Sequence, residues 1–240
     1  MARKTKNFHL KQFSIIGGHA GMAVSTDGVL LGAWADFANA ERLLDIGTGT
    51  GLLALMCAQR FESLSVDAID IDQQAFEAAS DNIANSPWSA RIQVFHHPVA
   101  QHHHPSYDAI ICNPPYFNAG ESAQNQQRAT ARHTGSLSHE ELAEHIGRLL
   151  APQFGRACLI LPKTEGEQFI DLARESGLHL TRLCRVRPTA TKPVSRLLIE
   201  LSNEQRLGTT QCQENEITIH KDGHYSDDFI ALTHDFYLKM

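Results

Sequence analysis

The residues best suited to chemistry lie in a short stretch, ICNPPYF, at positions 111–117. An asparagine and two prolines directly follow an apolar run, and two aromatic residues come next. The Asn113 side chain and the Pro114 main chain each offer a carbonyl oxygen, and two acceptors match the two N–H donors of an amino group. Proline contributes no N–H that would compete for these oxygens. Tyr116 and Phe117 offer flat faces on which a base can stack.

A second candidate site is the glycine-rich stretch DIGTGTG at positions 45–51. It joins an apolar strand to a helix, which is where α/β sheets bind nucleotides, and glycines there allow close backbone approach and positive φ. The dinucleotide fingerprint G-x-G-x-x-G would require glycine where the chain has Leu52. No Lys-Ser/Thr pair follows, as a phosphate-binding loop would require. The spacing therefore favours a nucleoside without a pyrophosphate.

An acid at the end of the next strand supports a nucleoside ligand. The run AIDID places Asp70 about 20 residues beyond the glycines, where a carboxylate can accept both ribose hydroxyls. Asp72 is the competing residue, and the strand register favours Asp70. The alternative interpretation of both motifs is a structural turn with a surface acid.

Alternating strands and helices position these motifs. Strands are predicted at 42–46 and in LSVDAIDID, RIQVFHH, YDAIICN and GRACLILP, with amphipathic helices between them. Ser138 and Glu141 fit a capping box at the start of one helix, and Gly177 ends another. This alternation predicts a parallel sheet with helices on both faces. The runs HLTRLCRVRP and SRLLIELS predict a hairpin that adds an antiparallel strand.

Composition narrows the class of protein. A chain of 240 residues with 42% hydrophobic and 20% charged residues is typical of one globular domain. No apolar stretch approaches a spanning helix, and the N-terminus lacks the apolar segment of a signal peptide, so we expect a cytoplasmic protein without membrane contact. The net charge of -6 argues against coating nucleic acid through bulk electrostatics, although a local basic face is compatible with it.

The cysteines and histidines do not suggest a metal site. Five cysteines, an odd number without a CxxC pair, are expected to be small buried residues in a reducing compartment. The segment HHPVAQHHH at 96–104 lacks carboxylate or cysteine partners at ligand spacing. We therefore predict a polar loop and no metal.

Both motifs resemble those of a known enzyme class. DIGTGTG, in which Asp45 precedes the glycines, is similar to motif I of the class I S-adenosylmethionine (SAM) methyltransferases. NPPY resembles the catalytic motif of the amino-group methyltransferases. The resemblance implies SAM as cofactor, with Asn113, Pro114 and Tyr116 catalytic. It also implies a Rossmann-like α/β fold with seven mostly parallel strands, one of them antiparallel, and helices on both faces.

The ends of the chain resemble a narrower family. LKQFSIIGGHAGMAVSTDGVLLGAWA at 10–35 and the terminal YSDDFIALTHDFYLKM are similar to bacterial tRNA adenine-N6 methyltransferases that modify the anticodon-adjacent adenine of a valine tRNA. The similarity runs over nearly the whole chain, so we predict one domain, 1–240, with an N-terminal segment 1–24 and a C-terminal extension 203–240. The cofactor-binding residues that it implies are Thr26, Asp27, Asp45, Gly47, Gly49, Gly51, Asp70 and Asn113.

A tRNA substrate requires phosphate contacts that this acidic chain must concentrate locally. No acid occurs between Ser176 and Ile199, where five basic residues lie, and the N-terminus adds four more. Tyr116 and Phe117 are the predicted base-stacking residues. The predicted tRNA contacts are Arg128, Arg132, Arg182, Arg185 and Arg187, with Lys192, Arg196, Arg3, Lys4, Lys6 and Lys11 as further candidates. The alternative is a set of solvated cations.

Several alternatives stay open at this point. Methylation of ribosomal RNA guanine N2 or of a protein glutamine shares NPPY, and an RNA-binding module could retain an inactive nucleotide fold. In the class I methyltransferases that the chain resembles, an acid after the third strand often contacts the cofactor adenine, and here Pro98 lies close to that place. We expect a monomer.

Overall fold

The computed structural model describes residues 6–18, 23–115, 137–203 and 212–239. Its strands are β1 (Phe8–His9), β2 (Ser14–Ile15), β3 (Arg42–Ile46), β4 (Ser65–Asp70), β5 (Ile92–His96), β6 (Ala109–Cys112), β7 (Arg156–Pro162), β8 (His179–Thr189), β9 (Arg196–Ser202), β10 (Gln213–Lys221) and β11 (His224–Tyr225). Its α-helices are α1 (Thr26–Trp34), α2 (Leu52–Arg60), α3 (Gln73–Ala84), α4 (His139–Leu149), α5 (Lys163–Glu175) and α6 (Asp227–Thr233).

Local sequence signals begin and end these helices. Ser25 caps α1 by accepting from the Gly28 N–H, and Asp72 caps α3 by accepting from the Ala75 N–H. The predicted capping box of Ser138 and Glu141 is confirmed at the start of α4. Gly177, with φ of 82°, follows α5.

A central sheet has the strand order β11-β10-β8-β9-β7-β6-β3-β4-β5 among the described residues. Strands β3 to β7 run parallel to one another, whereas β9 runs antiparallel to both β7 and β8. The expected mostly parallel sheet and the β8–β9 antiparallel pair are confirmed. The expected count of seven strands is wrong, because β10 adds in parallel to β8 and β11 pairs with β10.

Strand β10 was not predicted from the sequence because its first half is polar. Four of its first five residues, in QENEI, are polar and exposed. Glu214 and Glu216 form ion pairs with Arg185 and Arg187 of the adjacent β8. A strand with so little buried apolar surface gives only a weak hydrophobic period in the sequence.

Apolar clusters cover both faces of the sheet. Helices α1, α2, α3 and α6 contribute to one cluster and α4 and α5 to the other. Within the described residues no helix has the length and apolar character needed to cross a bilayer. Four of the five cysteines are buried and all five are free thiols, as expected for small core residues.

The parallel strands bring the two predicted motifs to one edge of the sheet. Because β3, β4 and β6 are neighbours and run in the same direction, their carboxyl ends lie side by side. The glycine loop follows β3, Asp70 ends β4, and Asn113 follows β6. Ligands of open α/β sheets bind at this edge.

Candidate active site

The glycine loop folds back over the end of β4. The Gly47 and Thr48 N–H groups both donate to the Ile69 carbonyl, at 2.9 and 3.0 Å. Gly49 has φ of 59°, a region that other residues rarely adopt, and a Cβ there would meet no atom within 4 Å. The loop therefore exposes backbone to open space at the carboxyl edge, as a loop that approaches a ligand must.

Asp70 and Asp72 have different roles in the fold. Asp70 Oδ2 accepts from the Gly49 N–H at 2.8 Å, and its Oδ1 accepts from the Asp72 N–H at 2.9 Å. Asp72 instead uses its own carboxylate to cap α3 through the Ala75 N–H. Burial raises the pKa of Asp70, against the backbone hydrogen bonds that lower it. The Asp70 carboxylate is thus bonded to the glycine loop, whereas the Asp72 carboxylate is used to cap α3.

Asp45 lies fully buried beneath the same loop. Its Oδ2 accepts from the Thr48 hydroxyl at 2.6 Å and from the Ala54 N–H at 3.2 Å. Its Oδ1 is buried without a hydrogen-bond partner in the described parts of the chain. Burial raises the pKa of Asp45 to about 7; the two hydrogen bonds oppose this shift and the charge of Asp70 adds to it. A buried, incompletely satisfied carboxylate is the kind of group that a polar ligand completes.

Titration of Asp45 makes the ligand-free protein less stable at higher pH. The pKa of this carboxyl is raised from 3.8 to about 7, so the folded chain holds the proton more tightly than the unfolded chain. Its contribution to stability is full below the unfolded value and is lost as the pH rises through the folded value. The free energy of unfolding should fall by up to about 1.4 kcal/mol per pH unit in this window.

Urea titrations of wild type and Asp45→Asn at several pH values between about 5 and about 8 check this expectation. The variant should lack the part of the fall in unfolding free energy with pH that comes from the Asp45 carboxyl. Asp171→Asn, at an exposed site on α5, should keep the wild-type pH dependence. Parallel curves for wild type and Asp45→Asn would contradict the shifted pKa.

Asn113 directly follows β6, and its side chain adjoins the first turn of α1. A Cβ added to Gly28 would lie 2.9 Å from Leu52 Cδ2 and 3.9 Å from Asn113 Nδ2, so α1 packs closely against Leu52 and lies near Asn113. Asn113 Oδ1 is buried and has no hydrogen-bond partner in the described ranges. This is an acceptor without a donor at the carboxyl edge. The predicted residues Tyr116, Phe117, Arg128 and Arg132 lie outside the described residues.

Thr26 and Asp27 form the start of α1, beside Asn113. Asp27 Oδ2 accepts from Arg196 Nε of β9 at 2.8 Å, and the Asp27 side chain is only 15% exposed. The sequence suggested proximity of the TDG segment to the cofactor only through resemblance. The structure brings this segment to the wall of the candidate site, although the partner at Arg196 was not foreseen.

The candidate tRNA-binding arginines are largely paired with acids. Arg182 bonds to Glu200 at 3.0 Å and stacks over the Trp34 ring at 4.2 Å. Arg185 and Arg187 pair with Glu214 and Glu216 of β10, as described above. The absence of acids between Ser176 and Ile199 therefore does not leave an unbalanced positive face, because β9 and β10 supply the acids. Their contact with tRNA remains a prediction.

The histidine segment is held by a hydrogen-bonded aromatic cluster. His102 Nε2 lies 2.6 Å from the Tyr107 hydroxyl, which donates to Asp67 Oδ2 at 2.5 Å. Arg148 of α4 donates to the His102 carbonyl. No group of three or more metal-binding side chains occurs among the described residues. Sequence reasoning missed this network because its members come from β4, the loop after β5 and α4.

Asn82 is a further residue that the sequence did not indicate. It is buried in α3, and its Oδ1 accepts from the Ile16 N–H at 2.9 Å. Its Nδ2 donates to the Thr50 carbonyl at 2.9 Å and to the Ile16 carbonyl at 3.2 Å. One side chain therefore joins the N-terminal segment to the glycine loop. A polar residue within an amphipathic helix gave no sequence signal for this role.

The strand order of the sheet, the glycine loop and the position of Asn113 at the carboxyl edge together define a class I methyltransferase. The model of the methyltransferase small domain family matches residues 28–137. The fold is shared with a predicted O-methyltransferase of Agrobacterium tumefaciens, with a TM-score of 0.63, 19% identity, and coverage of 88% of this chain and 96% of that one. It is also shared with an O-methyltransferase of neocarzinostatin biosynthesis crystallised with SAM, with a TM-score of 0.50, 15% identity, and coverage of 71% and 51%.

Sequence comparison gives a narrower assignment. The chain is 56% identical to the tRNA1(Val) (adenine(37)-N6)-methyltransferase of Vibrio vulnificus (strain CMCP6), over 99% of this chain and 98% of the relative. It belongs to the tRNA1(Val) (adenine(37)-N6)-methyltransferase family. The resemblance inferred from the two motifs and the terminal segments is confirmed.

Proposed function

We propose that this protein transfers a methyl group from SAM to the N6 amine of adenine 37 in tRNA1(Val), the reaction named for its relatives. The observation that carries the proposal is the Asn113 side-chain oxygen, buried and without a hydrogen-bond partner in the described residues, at the carboxyl edge beside the glycine loop. An amino group with two N–H donors is the ligand that this acceptor and the Pro114 carbonyl suit. We expect the reaction to take place in the cytoplasm.

The residues present fit SAM. The unpartnered Oδ1 of Asp45 can take a donor, the backbone at Gly49 faces open space, and Asp70 ends β4 where ribose hydroxyls would be accepted. We therefore assign cofactor contacts to Asp45, to the glycine loop and to Asp70, with Thr26 and Asp27 nearby. When bound, SAM supplies a methyl group already activated by a positively charged sulfur.

Asn113 and Pro114 prepare the amine for reaction. An exocyclic amine shares its lone pair with the ring and is a poor nucleophile while it stays planar. Carbonyl oxygens that accept both protons favour the tetrahedral geometry in which the lone pair is available. The chain needs no strong general base, because the nitrogen becomes cationic and acidic as it is alkylated and its proton can pass to solvent. Alignment and electrostatics are the protein's contribution.

The reaction can be tested on tRNA from cells that lack the gene. Purified protein with radiolabelled SAM should methylate the valine tRNA, and mass spectrometry of digested tRNA should place one methyl group on adenine 37. The control is the same tRNA from cells that have the gene, which should accept little methyl. Labelling of ribosomal RNA or a release factor without labelling of tRNA would overturn the proposal, as would calorimetry showing no SAM binding.

Contacts of the β8 arginines with tRNA give a further prediction. Arg185→Glu should weaken tRNA binding and lower the slope of log affinity against log salt by about one, while SAM binding stays unchanged. Glu214→Gln should strengthen tRNA binding, because it releases Arg185 from its 2.5 Å ion pair. Filter binding at low and moderate salt measures both effects.

Arg174→Glu provides the matched control for this experiment. Arg174 lies on α5, is exposed, and pairs with Asp171. The substitution makes the same change in net charge on α5 instead of on β8. Equal weakening by Arg174→Glu and Arg185→Glu would indicate a general charge effect, and unchanged affinity for Arg185→Glu would contradict a contact at β8.

A further inference from the structure

An ion pair joins the first turn of α1 to the start of β9. Arg196 Nε donates to Asp27 Oδ2 at 2.8 Å, and Arg196 Nη1 donates to the Ser195 carbonyl at 2.9 Å. The two side chains are 27% and 15% exposed, so water screens their attraction less than that of an open surface pair. Helix and strand are far apart in the sequence, and this contact holds them together directly.

The pair lies next to the residue proposed to bind the substrate amine. Arg196 is opposite Pro162 at the carboxyl end of β7, and β7 is the neighbour of the strand that ends before Asn113. On the other side, Asp27 precedes Gly28, where an added Cβ would lie 2.9 Å from Leu52 Cδ2 and 3.9 Å from Asn113 Nδ2. A displacement of the first turn of α1 would therefore change the surroundings of the Asn113 side chain.

The Asn113 amide depends on that wall for its orientation. Its Oδ1 has no hydrogen-bond partner in the described residues, so no hydrogen bond to that oxygen fixes the rotation of the amide. The start of α1 is then one restraint on the direction of Oδ1, since a Cβ added to Gly28 would lie 3.9 Å from Asn113 Nδ2. Reaction rates are sensitive to small displacements of aligned groups, and a shift of about 1 Å can cost up to about a hundredfold.

We propose that Asp27 and Arg196 are positioning residues that hold α1 against Asn113 and so fix its acceptor for the target amine. This inference rests on the proposed role of Asn113. Asp27 Oδ2 accepts from Arg196, and through this contact the carboxylate acts on the position of α1. The pair should therefore affect the rate of methyl transfer more than the affinity for SAM.

Single-turnover methylation of tRNA, with SAM and tRNA saturating, tests the pair. Asp27→Asn and Arg196→Gln should each lower the rate about fivefold to tenfold, with the dissociation constant of SAM within about threefold of wild type. The double variant should lose no more than either single variant, because both remove the same contact. Arg196→Lys retains the charge and should recover most of the rate.

Arg156→Gln is the matched control. Arg156 Nη1 lies 3.5 Å from Asp36 Oδ2 and ties the chain just beyond the opposite end of α1 to the start of β7. Loss of that pair should leave the rate at the wild-type level. A wild-type rate for Arg196→Gln, or losses that multiply in the double variant, would overturn the proposal. So would weakened SAM binding in Asp27→Asn alone, which would show direct action on the cofactor.

A spectroscopic measurement separates this inference from the proposed reaction. The side-chain amide signal of Asn113 can be assigned by its absence in Asn113→Ala and followed without any substrate. It should shift or broaden in Asp27→Asn and Arg196→Gln, and not in Arg156→Gln. If wild type fails to methylate tRNA, the proposed function falls while this signal still tests the pair; an unchanged signal in both variants overturns the pair's role.

Discussion

Replacing Asn113 by alanine is expected to lower single-turnover methyl transfer at least about tenfold, roughly the loss of one transition-state hydrogen bond. SAM affinity should change little. The reason is that Oδ1, which has no partner in the described residues, is the acceptor assigned to one N–H of the target amine. The hydrogen bond gains strength as the nitrogen becomes cationic, so its loss acts mainly on the transition state.

Two further variants separate acceptor chemistry from packing. Asn113→Asp keeps an acceptor of the same size and should retain more activity than Asn113→Ala. Asn85→Ala removes an exposed asparagine that caps α3 through the Asp81 carbonyl and should leave the rate unchanged. A near wild-type rate for Asn113→Ala, with thermal stability also unchanged, would remove Asn113 from the proposed mechanism.

Much of the fold could be predicted because its central strands are buried on both faces. Strand β3 occupies the predicted residues 42–46, and β4 to β7 fall within the apolar runs that indicated them. Covered parallel strands form continuous hydrophobic runs bounded by turns, and such runs are visible in a single sequence. Strand β10 could not be predicted in this way, because its first half carries acids that form cross-strand ion pairs where a buried strand would carry apolar residues.

The residues of the candidate site likewise fall into those that the sequence predicts and those that it does not. The glycine loop, Asp70 and Asn113 each follow a predictable strand, so their meeting at one edge follows from parallel topology. Asn82, Arg196 and the Tyr107 cluster depend on contacts between elements distant in sequence. The charge pattern of one segment likewise could not reveal that β9 and β10 neutralise the β8 arginines. Pairwise side-chain contacts across a fold leave no periodic signal in the chain.

The assignment of Asp70 over Asp72 leads to the second large expected effect. Asp70→Asn should raise the dissociation constant of SAM about tenfold or more, as expected for loss of a hydrogen bond to a charged group worth about 1.5–3 kcal/mol. Only one oxygen would remain to accept from the Gly49 and Asp72 N–H groups and from the ribose. Isothermal titration calorimetry measures this effect without tRNA.

Asp72 is the control that the structure itself supplies, because its carboxylate caps α3 through the Ala75 N–H at 2.9 Å. Asp72→Asn should leave both SAM affinity and stability near wild type, since asparagine caps helices about equally well. Asp72→Ala should cost about 1 kcal/mol of stability without changing SAM affinity. Burial raises the pKa of Asp70, so SAM affinity in wild type should fall on acidification as this carboxylate is protonated. Weaker SAM binding in Asp72→Asn than in Asp70→Asn would reverse the assignment and place the ribose on the helix cap.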